Sequence, residues 1–208
     1  MLAGCWSSGT SSAVLQSAMT QSRAHPASGT YGYCPPLSGG TGILADGDFS
    51  QAEQPGPHGE TFFHGQIFAP SWEVTKRAVD LYASDYGYGI DGLCSIDLDG
   101  SLVRNPLGGI RSDGFKTTKG QTYILRFLFS GNGYCTPTVK TMKVSVPKLF
   151  TQYTWDTSGG NDVQNGDYSP ETWNFKAAHT ITQITFTSED PKGSFCGPMV
   201  AGLALARK

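Results

Sequence analysis

The chain reads as an all-β sandwich or jelly roll of about ten strands behind an extended N-terminal arm. Three observations predict this. Apolar and polar residues alternate with a period of two in one segment after another between Ile43 and Ala206, as strands with one buried face require. Turn residues separate these segments at short intervals. The 27 glycines and 12 % aromatics suit short strands and turns rather than long helices. With 15 % charged residues and a formal net charge of −2, there is no surplus of positive charge for nucleic acid or an anionic membrane. No window approaches the roughly 18 continuous apolar residues of a transmembrane segment.

Residues 1–42 are rich in Ser, Gly, Thr and Pro and show neither a strand nor a helix period. In "HPASGTYGYCPPLSGGTG", Pro35-Pro36 and the glycines oppose regular structure. Residues 1–42 are therefore expected to form an extended, low-complexity arm and residues 43–208 the sandwich domain. "LAGC", Leu2 to Cys5, resembles a lipoprotein cleavage box, but the charged and apolar regions that should precede it are absent. Two readings of Cys5 exclude each other: lipidation, or a Cys5–Cys34 disulfide closing the arm.

The strands follow in order. Ile43–Phe49, Trp72–Val74, Val79–Tyr82, Leu93–Leu98 and Gly109–Thr117 are the first candidates. "TYILRFLFSG" places Tyr123, Leu125, Phe127 and Phe129 on one face, and "KTMKVSV" does the same with Met142, Val144 and Val146. Phe150–Trp155 follows, then "ETWNFKA" with Trp173, Phe175 and Ala177 together, then "TITQITFTS" with Ile184 and Phe186 inward, and finally Pro198–Ala206. Trp72, Trp155 and Trp173 are expected in the core. In "LCSIDLDG", Cys94, Ile96 and Leu98 alternate with Ser95, Asp97 and Asp99, a half-buried strand ending at the Asp99-Gly100 turn. An EF-hand starting at Asp97 would find Ser101 and Gly108 where its third and twelfth positions need acids.

Short connections at Thr118-Lys119-Gly120, Pro147-Lys148 and Ala178-His179-Thr180 alternate with long ones at 131–137, 157–170 and 189–197. Each strand crosses the sandwich, so alternate connections lie at the same end and the long loops should share one end, a natural place for a site. The same parity puts Cys135 and Cys196 at that end and Cys94 toward the other, predicting a Cys135–Cys196 disulfide. Five cysteines without a C-x-x-C pair disfavour zinc; they fit one or two disulfides plus a free thiol in a secreted protein, with five reduced cysteines as the alternative.

The ordered pieces "ILADGDFSQ", "PSWEVTKRAVDLY", "DGLCSIDLDG", "GGIRSDGFKTTKGQTYILRFLFSGN", "TVKTMKVSV", "YTWDTSGG", "ETWNFKA", "TQITFTS" and "CGPMVAGLAL" resemble the choice-of-anchor C family of bacterial surface proteins. They also resemble related plant cell-wall domains. The resemblance implies a galactose-binding-like jelly roll that is extracellular, noncatalytic and associated with cell-wall polysaccharide or surface attachment. It also supports the Cys135–Cys196 pairing, because the plant relatives carry cysteines at both places. Two departures stand out. Ser50 follows Gly47-Asp48-Phe49 where the family motif has Glu, and Ala201-Gly202 follow Gly197-Pro198-Met199-Val200 where it has Asp-Asn. In related modules those acids help hold a calcium ion. Without them a structural calcium is disfavoured, no cofactor is expected, and Asp46 and Asp48 remain as weak metal candidates.

Sugar binding requires flat aromatic faces with amides and carboxylates nearby. Tyr134 beside Asn132, and Tyr168 near Asp162, Asn165 and Asp167, are the candidates at the long-loop end. Tyr86 and Tyr88 in "SDYGYGIDG" are second choices, expected elsewhere. No histidine, serine or carboxylate constellation supplies a nucleophile or a general base, so catalysis is not expected. The expected function is a noncatalytic, extracellular or cell-surface module binding polysaccharide or cell-surface glycan. The alternative is a structural subunit of an extracellular filament or surface layer that self-assembles through the arm.

Overall fold

A computed structural model describes residues 32–208 apart from 54, 57–58, 105 and 192–194. Its strands are β1 (Glu60–Phe63), β2 (Ile67–Ala69), β3 (Trp72–Lys76), β4 (Ala78–Tyr82), β5 (Ser95–Asp97), β6 (Gly109–Ser112), β7 (Phe115–Lys116), β8 (Thr122–Gly131), β9 (Val139–Val146), β10 (Leu149–Asp156), β11 (Ser169–Lys176), β12 (Ile181–Thr182), β13 (Thr185–Ser188) and β14 (Pro198–Arg207). Two six-stranded sheets, β1-β4-β5-β14-β8-β11 and β10-β9-β13-β6-β3-β2, face each other, and β12-β7 forms a short ribbon. Every strand pair is antiparallel. The chain is an all-β jelly-roll sandwich of two antiparallel sheets.

The period-two pattern makes the core. Leu125 and Phe127 of β8 and Met142 and Val144 of β9 are fully buried, while alternate residues on these strands are partly exposed. Phe127 meets Phe186 edge-on across the sandwich at 5.5 Å between ring centroids. Trp72 is buried among Phe49 and Phe186 and satisfies its indole N–H on the Asp46 carbonyl at 3.0 Å. A buried indole needs such a partner.

Strand β14 departs from alternation: Pro198 to Leu205 are all buried. It lies between β5 and β8, so one face fills the core. Its other face packs Met199, Ala201 and Ala204 against Leu37, Tyr82, Ile90, Leu93 and Val163. Loops thus cover the outside of this sheet, which is why the closing strand is apolar throughout. At Gly202 the register with β8 shifts between Ala201 and Ala204, and the backbone takes φ +58°, a bulge conformation open to glycine at little steric cost.

Several expectations are corrected. Among the described residues there are fourteen strands rather than about ten, because β1 and β2 arise in a Gly/Pro-rich connection and add one edge strand to each sheet, Asp113-Gly114 breaks the expected Gly109–Thr117 strand into β6 and β7, and the expected strand over 180–188 divides into β12 and β13. Residues Ile43–Phe49 make turns instead of a strand, with Asp46 at φ 48° and Phe49 at φ 58°. Carboxylate hydrogen bonds to backbone N–H groups of Leu37, Ser50 and Gln51 hold those turns. The described residues before 43 pack on the body. Cys34 is fully buried and disulfide-bonded to Cys94, and Gly42 bridges Leu205 in parallel. The Cys5–Cys34 closure is therefore replaced by Cys34–Cys94; Cys5 and the rest of residues 1–31 lie outside the described residues. Trp155 and Trp173, expected in the core, are only half-buried because they sit on edge strands.

Candidate functional site

A second disulfide joins Cys135 to Cys196, tying the β8–β9 connection to the segment that enters β14. Asn132 organises this end. Its backbone N–H donates to the Gly197 carbonyl at 2.9 Å and its side-chain amide to Asp97 at 2.8 Å. Its side-chain oxygen accepts from the Tyr134 N–H at 3.1 Å and the Gln164 amide at 2.7 Å. Asp162 caps the short helical turn Val163–Asn165 by accepting from both the backbone N–H and the side-chain amide of Asn165. Gly133 lies so close to Asp162 that a Cβ there would stand 2.2 Å from a carboxylate oxygen. Gly133→Ala should push the two loops apart and lower stability by about 1–3 kcal/mol, measurable as a drop in thermal midpoint; an unchanged midpoint would show that the loops are not packed this closely.

The loop end rests on buried charge. Lys140 is fully buried, and its ammonium donates to the Cys135 carbonyl at 3.1 Å and to that of Cys196. Both disulfide cysteines are thus fixed through their backbones. Burial lowers the Lys140 pKa, opposed by the charges of Asp190, Asp97 and Asp99. Asp97 accepts from the N–H groups of Asp99 and Gly197, each at 2.9 Å, and burial holds its pKa well above the usual carboxylate range. Burial also pushes Asp99 up to about 7 and Asp190 to about 6. Neither Asp99 oxygen has a partner in hydrogen-bond geometry, although the nearby Ser188 hydroxyl opposes its shift. The expectation of a half-buried strand with Asp97 and Asp99 turned outward is corrected: both are fully buried.

The structure brings Asn132, Tyr134, Asp162, Asn165, Cys135 and Cys196 together. Asn132, Asp162 and Asn165 are occupied in holding loops. Tyr134 is 81 % exposed. Tyr168 does not stand with it in the open. It packs on the covered face of the β14 sheet with Tyr86 and Tyr88, and its hydroxyl donates to the Asp91 carboxylate. The expected separation of Tyr168 from Tyr86 and Tyr88 is corrected. Strand parity fixes where a loop begins, but these loops fold back over the sheet. Tyr82, Tyr86 and Tyr88 stack with centroids 4.6–5.7 Å apart. The Asp167 side chain is exposed, and its carbonyl accepts from the Ser130 hydroxyl at 2.6 Å. Gln164 and Lys140 were not singled out by sequence; the lysine's place among the inward residues of "KTMKVSV" was the available signal.

The Asp46 and Asp48 carboxylates shape turns, as above. Among the described residues no group of three or more His, Cys, Asp or Glu is arranged to hold a metal, and no helix is long and apolar enough to cross a membrane.

No curated protein sequence matches the chain. Among solved structures, it is similar to one described as "CBM4 structure and function", with a TM-score of 0.47 and 14 % identity over 79 % of this chain and 99 % of that one. The native structure of a family 35 carbohydrate binding module from Clostridium thermocellum gives a TM-score of 0.42 and 15 % identity over 70 % and 97 %. The C-terminal CBM6 of LamC from Zobellia galactanivorans gives 0.44 and 6 % over 71 % and 99 %. A family model described as "Protein of unknown function (DUF642)" matches residues 42–206, most of the chain, which therefore belongs to the DUF642 family.

Proposed function

We propose that the protein is a noncatalytic extracellular module that binds cell-surface or cell-wall polysaccharide at the loop end around Tyr134. The observation that carries this reading is a fully presented aromatic ring on a backbone held in place by Asn132, Asp162, Lys140 and a disulfide. Rigid presentation lowers the entropy lost on binding, and a flat ring suits the C–H face of a pyranose. Gln164 and the exposed Asn161 and Asp167 are the polar groups nearby in the chain. Asp97 and Asp99 are sealed from solvent and so are not available to straddle a glycosidic bond. The disulfides fit an oxidising compartment, and the motif resemblance to choice-of-anchor C surface proteins and plant cell-wall domains supports the same setting. Assembly through the arm is less favoured, since its described part, residues 32–42, packs on the chain's own body.

The test is retention on a panel of insoluble cell-wall polysaccharides. The wild type should be retained on at least one, Tyr134→Ala should bind roughly tenfold more weakly, and Tyr134→Phe should bind nearly as well as wild type. Equal retention of Tyr134→Ala, or no retention of the wild type, would refute the reading.

A further inference from the structure

The sandwich is open along one side. Strands β10 and β11 are the last strands of their respective sheets on that side, each with one neighbour only. They face each other across β8: Tyr153 of β10 meets Phe127 of β8 edge-on at 5.1 Å, and Phe127 is registered with Glu171 of β11. Positions that are fully buried one strand further in are half-exposed here: Thr151, Tyr153 and Trp155 on β10, and Ser169, Glu171 and Trp173 on β11. Register sets their order along the opening. Trp155 packs on Phe129, which pairs with Ser169; Tyr153 lies at the level of Glu171; and Trp173, paired with Leu125, comes one step further on. Each step along a strand face advances about 6.7 Å, so three aromatic rings form a row interspersed with two hydroxyls and a carboxylate.

We infer that this opening between β10 and β11 is a second carbohydrate-binding site, which takes an extended, neutral glycan laid along the strands. The inference rests on the glycan-binding reading and adds a site and a ligand class to it. Aromatic faces at regular spacing suit successive sugar rings of one chain. Glu171 accepts from the Ser169 hydroxyl at 2.7 Å and makes no ion pair among the described residues, where the pairs are Arg111–Glu73 and Lys143–Glu189. Its charge is felt at Tyr153, whose hydroxyl is pushed up to about 12 by burial first and by Glu171 second. An uncompensated carboxylate accepts hydroxyl donors strongly and repels a uronic acid. The Trp155 indole N–H is already committed to the Asn161 carbonyl at 2.8 Å, which fixes the ring and leaves stacking as its contribution.

The experiment titrates the intact chain with a neutral β-linked glucan hexasaccharide and with a galacturonic acid hexasaccharide. Tryptophan fluorescence and protection of tryptophan from N-bromosuccinimide are followed, with dichroism to confirm folding. The neutral sugar should shift the fluorescence and protect tryptophan, and the uronide should bind more weakly. Tyr153→Ala and Trp173→Ala should each weaken the neutral sugar roughly five- to tenfold. Glu171→Gln, which preserves shape, should narrow the preference for the neutral sugar. Tyr134→Ala should leave the fluorescence response in place. If the chain is retained on polysaccharide through Tyr134 while fluorescence is silent and the Tyr153 and Trp173 variants bind like wild type, the inference fails and the first site stands. Preference for the uronide also overturns it, as does a response to a cationic peptide that exceeds the response to sugar. If no polysaccharide retains the chain and no sugar shifts the fluorescence, both fail.

Discussion

Asp99→Asn is expected to raise the thermal midpoint at about pH 7.5 and to leave it nearly unchanged at about pH 3.5. Asp99 is fully buried, and burial pushes its carboxyl up to about 7, with Asp190 adding to the shift and Ser188, Lys140 and Lys76 opposing it. In the unfolded chain the same group titrates near 3.8. Between these values the folded state holds a proton that the unfolded state has lost. Stability from this group is therefore fully present below about pH 4 and is lost as the pH rises through about 7. Asp190, pushed up to about 6, and Asp97, also raised, act in the same direction. A shift of this size corresponds to about 4 kcal/mol, or roughly 8–16 °C in midpoint for a chain of this length. Calorimetric scans of wild type and variant across this range check it. Parallel profiles would mean that Asp99 does not titrate as its burial requires.

Removing either disulfide is expected to destabilise the fold strongly, but only one should affect binding. Cys34–Cys94 and Cys135–Cys196 span 60 and 61 residues, so each restricts the unfolded chain equally, by about 4 kcal/mol in the chain-entropy account and typically 2–4 in practice. Cys34→Ala with Cys94→Ala releases the segment whose Leu37 helps cover the outer face of the β14 sheet and should leave polysaccharide retention intact below its lowered midpoint. Cys135→Ala with Cys196→Ala frees the backbone on which Tyr134 stands and should weaken retention as well. Calorimetry together with retention at a temperature where both variants remain folded separates the two effects. Full affinity in the Cys135/Cys196 variant would show that rigid presentation of Tyr134 is unnecessary.

The longer strands with one wet face were legible in sequence, whereas the short edge strands β1 and β2 were not. β8, β9, β11 and β13 each show the alternation that their burial repeats. Legibility failed where chain covers chain. Ser95, Asp97 and Asp99 alternate like outward residues, yet loop 83–94 closes over Ser95, Asn132 over Asp97, and Ser188, Asp190 and Gly197 stand against Asp99; a period of two reports which face a residue occupies, not whether another segment covers it. For the same reason Tyr168 could not be separated from Tyr134 by loop parity. The turn-rich Ile43–Phe49 segment misled because its apolar residues plug the core from irregular backbone. Trp155 and Trp173 were read as core positions, but their half-exposure, and that of Tyr153, follows from β10 and β11 being edges, a property of topology that no local pattern encodes.

The most direct test of the glycan-binding reading is an amide chemical-shift map of the isotopically labelled chain titrated with oligosaccharides from a polysaccharide that retains it. Shifts in amides of residues 131–137 and 160–167, lost in Tyr134→Ala, are the expected result. Saturating binding that leaves those amides unmoved would contradict the reading.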